Sequence, residues 1–218
     1  MKHGAVCAIA GSVLLLVGTT LHPMQSDPNH ALEAFAEYAA DRFWTASHLL
    51  QLSGFVLIVA ALLPLGRRLE ATRGAEWSRL AAGGAMVSLA VATALQAVDG
   101  VALKGMVDAW AAAPTPQKEA SFYAALAVRQ VEIGLAAMLS VFFGLTALLY
   151  GIALLRAGIG PAWLAGLALL PAIANATAGV VMAYSGFSQL AMAISMPASL
   201  LLLAWMLGLA TWMWRQCK

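Results

Sequence analysis

Three pairs of polar residues interrupt otherwise apolar stretches of this sequence, and the partners in each pair stand three positions apart. The pairs are His48 with Gln51, Gln96 with Asp99, and Arg129 with Glu132. Residues three apart share one face of a helix, so each pair would present two polar groups to the same neighbour. General acid–base work by His48 with Glu132 is one chemistry that these residue types permit.

Metal binding is a second chemistry, because imidazole and carboxylate groups are ligands for zinc and iron. The sequence has no compact motif such as His-Glu-x-x-His, so spacing alone identifies no metal. Bis-histidine haem would need two histidines at matching depth on facing helices, which leaves haem and a divalent metal both open as cofactors. The metal-ligand candidates are His22, His48, Asp99 and Glu132.

The composition indicates that a bilayer surrounds these polar pairs. Of 218 residues, 62% are hydrophobic and 10% are charged, and the mean hydropathy is +0.83. Soluble domains carry about 25% charged residues, so this chain could not cover itself with a surface suited to water. The lipid bilayer is therefore its expected partner, and a net charge of +2 argues against binding nucleic acid.

Six apolar runs are each long enough to cross a membrane, which takes about 20 residues. We predict an all-α fold: one transmembrane domain over residues 1–218, a bundle of six helices. The first run follows Lys2 and lacks a convincing cleavage site, so we expect an uncleaved helix. The predicted spans are 4–21, 43–65, 80–103, 131–155, 161–184 and 188–213.

The basic residues predict the orientation of the bundle. Eight of the twelve fall on the side that holds both termini, and the other four on the opposite side. Because cytoplasmic loops are enriched in Lys and Arg, both termini are expected in the cytoplasm. The basic residues expected inside are Lys2, Arg67, Arg68, Arg73, Arg79, Arg156, Arg215 and Lys218, and those expected outside are Arg42, Lys104, Lys118 and Arg129.

Two outer segments have the pattern of helix starts. Asp27-Pro28 offers a capping side chain followed by proline, which predicts a short interfacial helix lying over the mouth of the bundle. Thr115-Pro116 repeats the pattern and predicts that the fourth helix begins near Gln117, well before its apolar run. Spans three and four would then turn near Pro114.

Antiparallel helices allow depths to be compared, because residues equidistant from a turn lie level. Counting in this way places Asp99 level with Arg129, Gln96 with Glu132, His48 with residues 96–98, and Glu132 with Tyr184. The result is a polar layer near the outer face that could line an outward-opening pocket. The ligand-binding candidates are His48, Gln51, Gln96, Asp99, Arg129, Glu132 and Tyr184.

The same layer has a purely structural interpretation. Asp99 would pair with Arg129, and Glu132 with Lys104 or Gln96, which would fix helix register in a structural or accessory membrane subunit. A third alternative is a small-solute or proton-coupled transporter, although the inner half has few of the polar groups that such a path needs. The sequence does not decide whether the chain is an enzyme, and it leaves open a homo-oligomer or a membrane partner subunit.

Several short motifs give the chain a resemblance to a known group. They are Leu21-His22-Pro23, the run Trp44-Thr45-Ala46-Ser47-His48-Leu49-Leu50-Gln51, Asp99-Gly100, Arg129 with Glu132, and Gly160-Pro161-Ala162-Trp163-Leu164. Through them the whole length resembles an uncharacterised family of bacterial inner-membrane proteins with six helices, a domain of unknown function. The resemblance implies this architecture and a multi-pass location in the bacterial cytoplasmic membrane. It implies no activity.

Overall fold

The computed structural model describes residues 1–216, and six of its helices are long and apolar enough to cross a membrane. The chain is thus a multi-pass membrane protein with a six-helix bundle, as predicted. Cys217 and Lys218, the latter counted above among the cytoplasmic basic residues, lie outside the described residues. Each predicted span overlaps one of these helices, and the starts of the first, second, fifth and sixth spans agree to within two residues. The third and fourth helices begin at Ala75 and Thr115, well before the predicted residues 80 and 131.

The helices are numbered in chain order, and a π-helical turn interrupts the third span, Ala75–Ala112. The elements are α1 Lys2–Leu21, α2 Ala31–Ala40, α3 Trp44–Leu69, α4 Ala75–Ala97, the π-helical turn Val98–Leu103, α5 Lys104–Ala112, α6 Thr115–Ala157, α7 Ala162–Ser185 and α8 Gln189–Arg215.

The six spanning helices form a closed ring. In order around it, α1 packs against α3, α3 against α4, α4 with its continuation against α6, α6 against α7, α7 against α8, and α8 against α1. Glycine permits the closest of these approaches, as small residues do between membrane helices. A Cβ atom added to Gly11 of α1 would lie 2.8 Å from the carbonyl oxygen of Gly54 in α3.

The bundle has a polar end and an apolar remainder. The large apolar core includes Leu62, Leu65 and Trp205, and Tyr150 satisfies its buried hydroxyl by donating to the Leu62 carbonyl at 3.0 Å. Among residues 1–216, the buried side chains that can carry charge are His48, Arg129 and Glu132. All three lie toward the end of the bundle where α2 is placed, which we call the α2 end.

The two predicted outer helix starts have different outcomes. Helix α6 begins at Thr115 with Pro116 in its first turn, which confirms the expected early start. The prediction that a helix starts at Asp27-Pro28 is wrong, because α2 begins only at Ala31. Asp27 instead caps a turn: its carboxylate accepts from the Asn29 amide at 2.9 Å, which holds the chain out of the helix.

Candidate functional site

A π-helical turn over Val98–Leu103 places the carboxylate of the site. A π turn widens the helix, and such turns are frequent at functional sites. Here the carbonyl of Asp99 accepts from Trp44 Nε1 at 2.9 Å, and the carbonyl of Gly100 accepts from Thr45 Oγ1 at 3.0 Å. These two bonds join the turn to the first residues of α3, and they hold the Asp99 side chain beside that helix.

His48 lies one turn further along α3 and is 2% exposed. Its Nδ1 lies 2.6 Å from the Trp44 carbonyl, and since a carbonyl only accepts, Nδ1 carries a proton. In a neutral ring Nε2 then has a lone pair and no proton. That nitrogen lies 3.0 Å from Oδ2 of Asp99, so either a proton or a metal ion must lie between these two electron-rich atoms.

His22 follows α1 and brings a second imidazole to the same place. Its Nδ1 lies 2.8 Å from the Pro23 carbonyl, which again leaves Nε2 with the lone pair. The ring centroid lies 4.7 Å from that of Trp44 and 5.0 Å from that of His48. Burial lowers the pKa of His22 below its usual value, which favours the neutral ring.

His22, His48 and Asp99 together have the composition of a divalent metal site. One ligand atom from each lies within 4.8 Å of the others. Tetrahedral zinc separates its nitrogen and oxygen ligands by about 3.3 Å, given bonds of about 2.0–2.2 Å, so small side-chain movements would close the site. A haem does not fit, because the two imidazole rings are in contact and no macrocycle could pass between them.

Arg129 and Glu132 form a second buried unit on α6. Their side chains are 6% and 3% exposed, and Arg129 Nη1 donates to Glu132 Oε2 at 2.6 Å. The guanidinium also lies over the rings of Tyr38 and Phe187, at 5.4 and 4.9 Å from their centroids. Charges at membrane depth cost at least a few kcal/mol each, and this pair offsets that cost within a single helix.

The ion pairs differ from those predicted. Asp99 contacts His48 and not Arg129, while Glu132 is held by Arg129 and not by Lys104 or Gln96. Lys104 instead pairs with Asp108 at 2.8 Å. Because Arg129 and Glu132 are three residues apart on α6, they satisfy each other locally, and Asp99 remains free to face the histidines. Glu132, proposed above as a metal ligand, is therefore not part of the three-residue cluster.

A cavity of about 370 Å³ lies beside both units. Gln96 Nε2 donates to Gln51 Oε1 at 3.2 Å in its wall, which links α4 to α3. The volume of the cavity lies within the range found for small-molecule binding sites. The lining residues are Thr19, His22, Pro23, Met24, Ser26, Pro28, Tyr38, Gln51, Leu95, Gln96, Asp99, Arg129, Glu132, Ala136, Phe187, Met192 and Met196.

Most of the predicted layer meets at this cavity, and one member does not. Gln51, Gln96, Asp99, Arg129 and Glu132 line it, and His48 lies directly behind Asp99. The remaining candidate, Tyr184, is 90% exposed and does not line the cavity, because equal depth does not fix the direction in which a residue points.

Three contributing residues were not predicted from the sequence. Trp44 and Tyr38 pack against the His22 ring, and Gly100 lies against His48. The only sequence signals were the position of Trp44 four residues before His48 and that of Gly100 directly after Asp99. Neither signal specifies a contact between helices.

Helix α2 covers the site and is held by two sets of contacts near its C-terminal end. Lys104 Nζ donates to the carbonyls of Tyr38 and Ala39 at 3.0 and 3.1 Å, which satisfies the C-terminal end of the helix. The Glu37 carboxylate accepts from the amides of Gln25 and Ser26 at 3.0 and 2.8 Å. Partial burial would raise the pKa of Glu37, but these two hydrogen bonds outweigh it and hold the pKa below its usual value.

Comparisons with known proteins add no assignment to this geometry. The chain matches no protein-family model, and neither a curated protein nor a solved structure shows significant similarity to it.

Proposed function

We propose that the protein binds a divalent transition metal ion at the α2 end of its bundle, through His22, His48 and Asp99. The observation that carries this is the arrangement around His48. Its Nδ1 proton is committed to the Trp44 carbonyl, and its Nε2 faces the Asp99 carboxylate at 3.0 Å. Metal-binding histidines commonly donate their second ring N–H to a carbonyl, which fixes the tautomer that coordinates.

The ligand set suggests a site with an open position. Two histidines and one carboxylate are a set that zinc and non-haem iron both use, with the remaining positions taken by water or substrate. Such an ion supplies Lewis acidity or a water of lowered pKa at that position. The cavity beside the three ligands provides space for a bound molecule.

The proposed site opens to the periplasmic face of a bacterial inner membrane. This direction is supported by the distribution of basic residues, most of which lie at the opposite end of the bundle from α2. Tyr38 of α2, Pro28 in the turn after Asp27, and Phe187 line the cavity at this end. A ligand from the periplasm or the outer leaflet would therefore reach the metal without crossing the apolar core.

If the polar layer is only structural, His48 and Asp99 need no metal ion. A doubly protonated His48 would pair with Asp99 without any metal and would only fix helix register. The transporter alternative gains no support, because the buried residues between the site and the opposite end are largely apolar.

Metal analysis of the purified protein separates these explanations. We expect about one zinc or iron ion per chain after growth in metal-replete medium, measured by elemental mass spectrometry. The variants Asp99→Asn and His48→Ala should lose it, whereas His30→Ala should keep it, since the His30 side chain is 67% exposed and pairs with Glu33. A folded wild-type protein that holds no metal, and acquires none on incubation with zinc, would leave only the structural explanation.

A further inference from the structure

A second cavity lies beneath the first, nearer the middle of the bundle. It has a volume of about 230 Å³, and Thr19 of α1 lines both cavities, so the two adjoin at this side chain. The residues lining the lower cavity are Leu15, Thr19, Phe55, Ile58, Leu139, Ser140, Phe143, Asn175, Ser199, Leu202, Leu203 and Met206.

The two cavities differ in chemistry. The upper one has His22, Asp99, Arg129 and Glu132 in its walls, whereas the lower one has no residue of formal charge in its lining. The most polar group below is Asn175, and it donates to the Ser140 carbonyl at 2.9 Å. Most of the other lining residues are apolar, and a mostly apolar cavity accepts apolar molecules.

One face of α3 runs alongside both cavities. On this face Gln51 lines the upper cavity and Phe55 and Ile58 line the lower one, at intervals of three or four residues that begin with the metal ligand His48. Ten residues separate His48 from Ile58, which is a rise of about 15 Å along the helix. An extended acyl chain of roughly twelve carbons, with carbon–carbon bonds of about 1.5 Å, covers that distance.

The upper cavity favours an anionic head group once a divalent ion is bound. Arg129 and Glu132 cancel each other, and Asp99 neutralises half of the charge on the ion. The cavity then carries one net positive charge at an open coordination position. A carboxylate or phosphate satisfies both the charge and the coordination.

We propose that the paired cavities bind a single-chain amphiphile, with its anionic head at the metal and its acyl chain in the lower cavity. The assignment of the head rests on the proposed metal site, whereas the assignment of the chain rests on the lower cavity. A free fatty acid and a lysophospholipid share this chemistry. The ligand would enter from the outer leaflet, since the upper cavity lies at the α2 end.

Binding of two labelled probes to the zinc-loaded protein in lipid nanodiscs tests this inference. The probes are dodecanoate and lauroyl lysophosphatidate, with binding to empty nanodiscs subtracted. We expect saturable binding of about one molecule per chain for at least one probe, and the tighter probe indicates the source of the ligand. Hexanoate should bind at least tenfold more weakly than dodecanoate, because its chain does not reach the lower cavity.

Substitutions that fill the lower cavity provide the decisive comparison. Ser199→Trp and Leu139→Trp introduce large side chains into its wall, and each should reduce binding of the preferred probe at least tenfold while zinc content is unchanged. Leu200→Trp is the matched control, since Leu200 is 59% exposed and lines neither cavity. Two independent filling variants guard against misfolding of one, and retained zinc reports that the site is intact.

The outcomes separate the inference from the proposed function. Unchanged probe binding in both filling variants would overturn the inference, and so would a zinc-loaded wild-type protein without saturable binding. Either result leaves the metal site standing. A protein that never holds zinc would overturn the metal site, and with it the assignment of the anionic head.

Discussion

Gly100 packs directly against the side chain of His48, so closely that a Cβ atom at position 100 would lie 2.6 Å from the His48 Cβ. This contact brings the π-helical turn against α3. It also explains how Asp99, the neighbour of Gly100, comes within 3.0 Å of the imidazole. The geometry of the proposed metal site therefore depends on a residue that has no side chain.

The variant Gly100→Ala should weaken metal binding without removing a ligand. The added methyl group must displace His48 or the π-helical turn, and changes behind metal ligands commonly cost 10–100-fold in affinity. We expect a loss of that size in a zinc competition titration. Gly105→Ala is the matched control, because nothing lies within 4 Å of a Cβ at that position. Equal zinc affinities in the two variants would contradict the packing argument.

Metal removal should lower the thermal stability of the wild-type protein. A ligand that binds only the folded state stabilises it by about 2.7 kcal/mol at a hundredfold excess over Kd. Adding a chelator should therefore reduce Tm, and adding zinc should restore it. In the Asp99→Asn variant Tm should respond to neither, whereas His30→Ala should behave as the wild type. A wild-type Tm that is insensitive to both additions would count against a bound ion.

The sequence predicts the level of the site residues along the bundle more readily than it predicts which of these residues pair with each other. Counting from the turns of the hairpins placed His48, Gln96 and Asp99 at one level, and the structure brings them to one end of the bundle. Helix length and rise determine this level, and both are nearly constant. Counting does not determine rotation about the helix axis, which is why Tyr184 is level with the layer and yet exposed.

The π-helical turn is one reason why the predicted pairing of Asp99 with Arg129 is wrong. A count that assumes 3.6 residues per turn cannot anticipate a wider turn, which rotates every later side chain. The turn depends on bonds from Trp44 and Thr45, which belong to a different helix and lie about 55 residues away. No local sequence pattern records such a contact.

The Arg129–Glu132 pair gives a prediction about stability rather than binding. Arg129→Met leaves a buried carboxylate without its partner, which costs about 3–5 kcal/mol in comparable cases. The double variant Arg129→Met/Glu132→Met should recover most of that loss. Thermal unfolding in nanodiscs measures both changes.

The exposed pair at the same end of the bundle serves as the control for this comparison. Asp108 is half exposed where it pairs with Lys104, so Asp108→Asn should cost no more than about 1 kcal/mol. If Arg129→Met proved as mild as Asp108→Asn, the pair would not be buried as described.

Glu37 should make the attachment of α2 sensitive to acid. Its carboxylate accepts from the amides of Gln25 and Ser26, and these bonds hold its pKa below the ordinary value of 4.5. A carboxyl with a lowered folded-state pKa adds stability that is fully present above the unfolded-state pKa. That stability is lost as the pH falls through the folded-state value. The window therefore lies below about pH 4.5.

The variant Glu37→Gln tests this on protein stripped of metal, so that release of the metal in acid does not contribute. Above pH 5.5 the variant should be less stable than the wild type by about 1 kcal/mol, a value reduced for the partial exposure of Glu37. The two Tm values should converge as the pH falls through the folded-state pKa of Glu37, because the wild-type carboxylate then becomes protonated. Glu33→Gln is the matched control, since the Glu33 side chain is 70% exposed on the same helix. Parallel Tm curves for the wild type and Glu37→Gln across this range would show that the carboxylate does not hold the segment before α2.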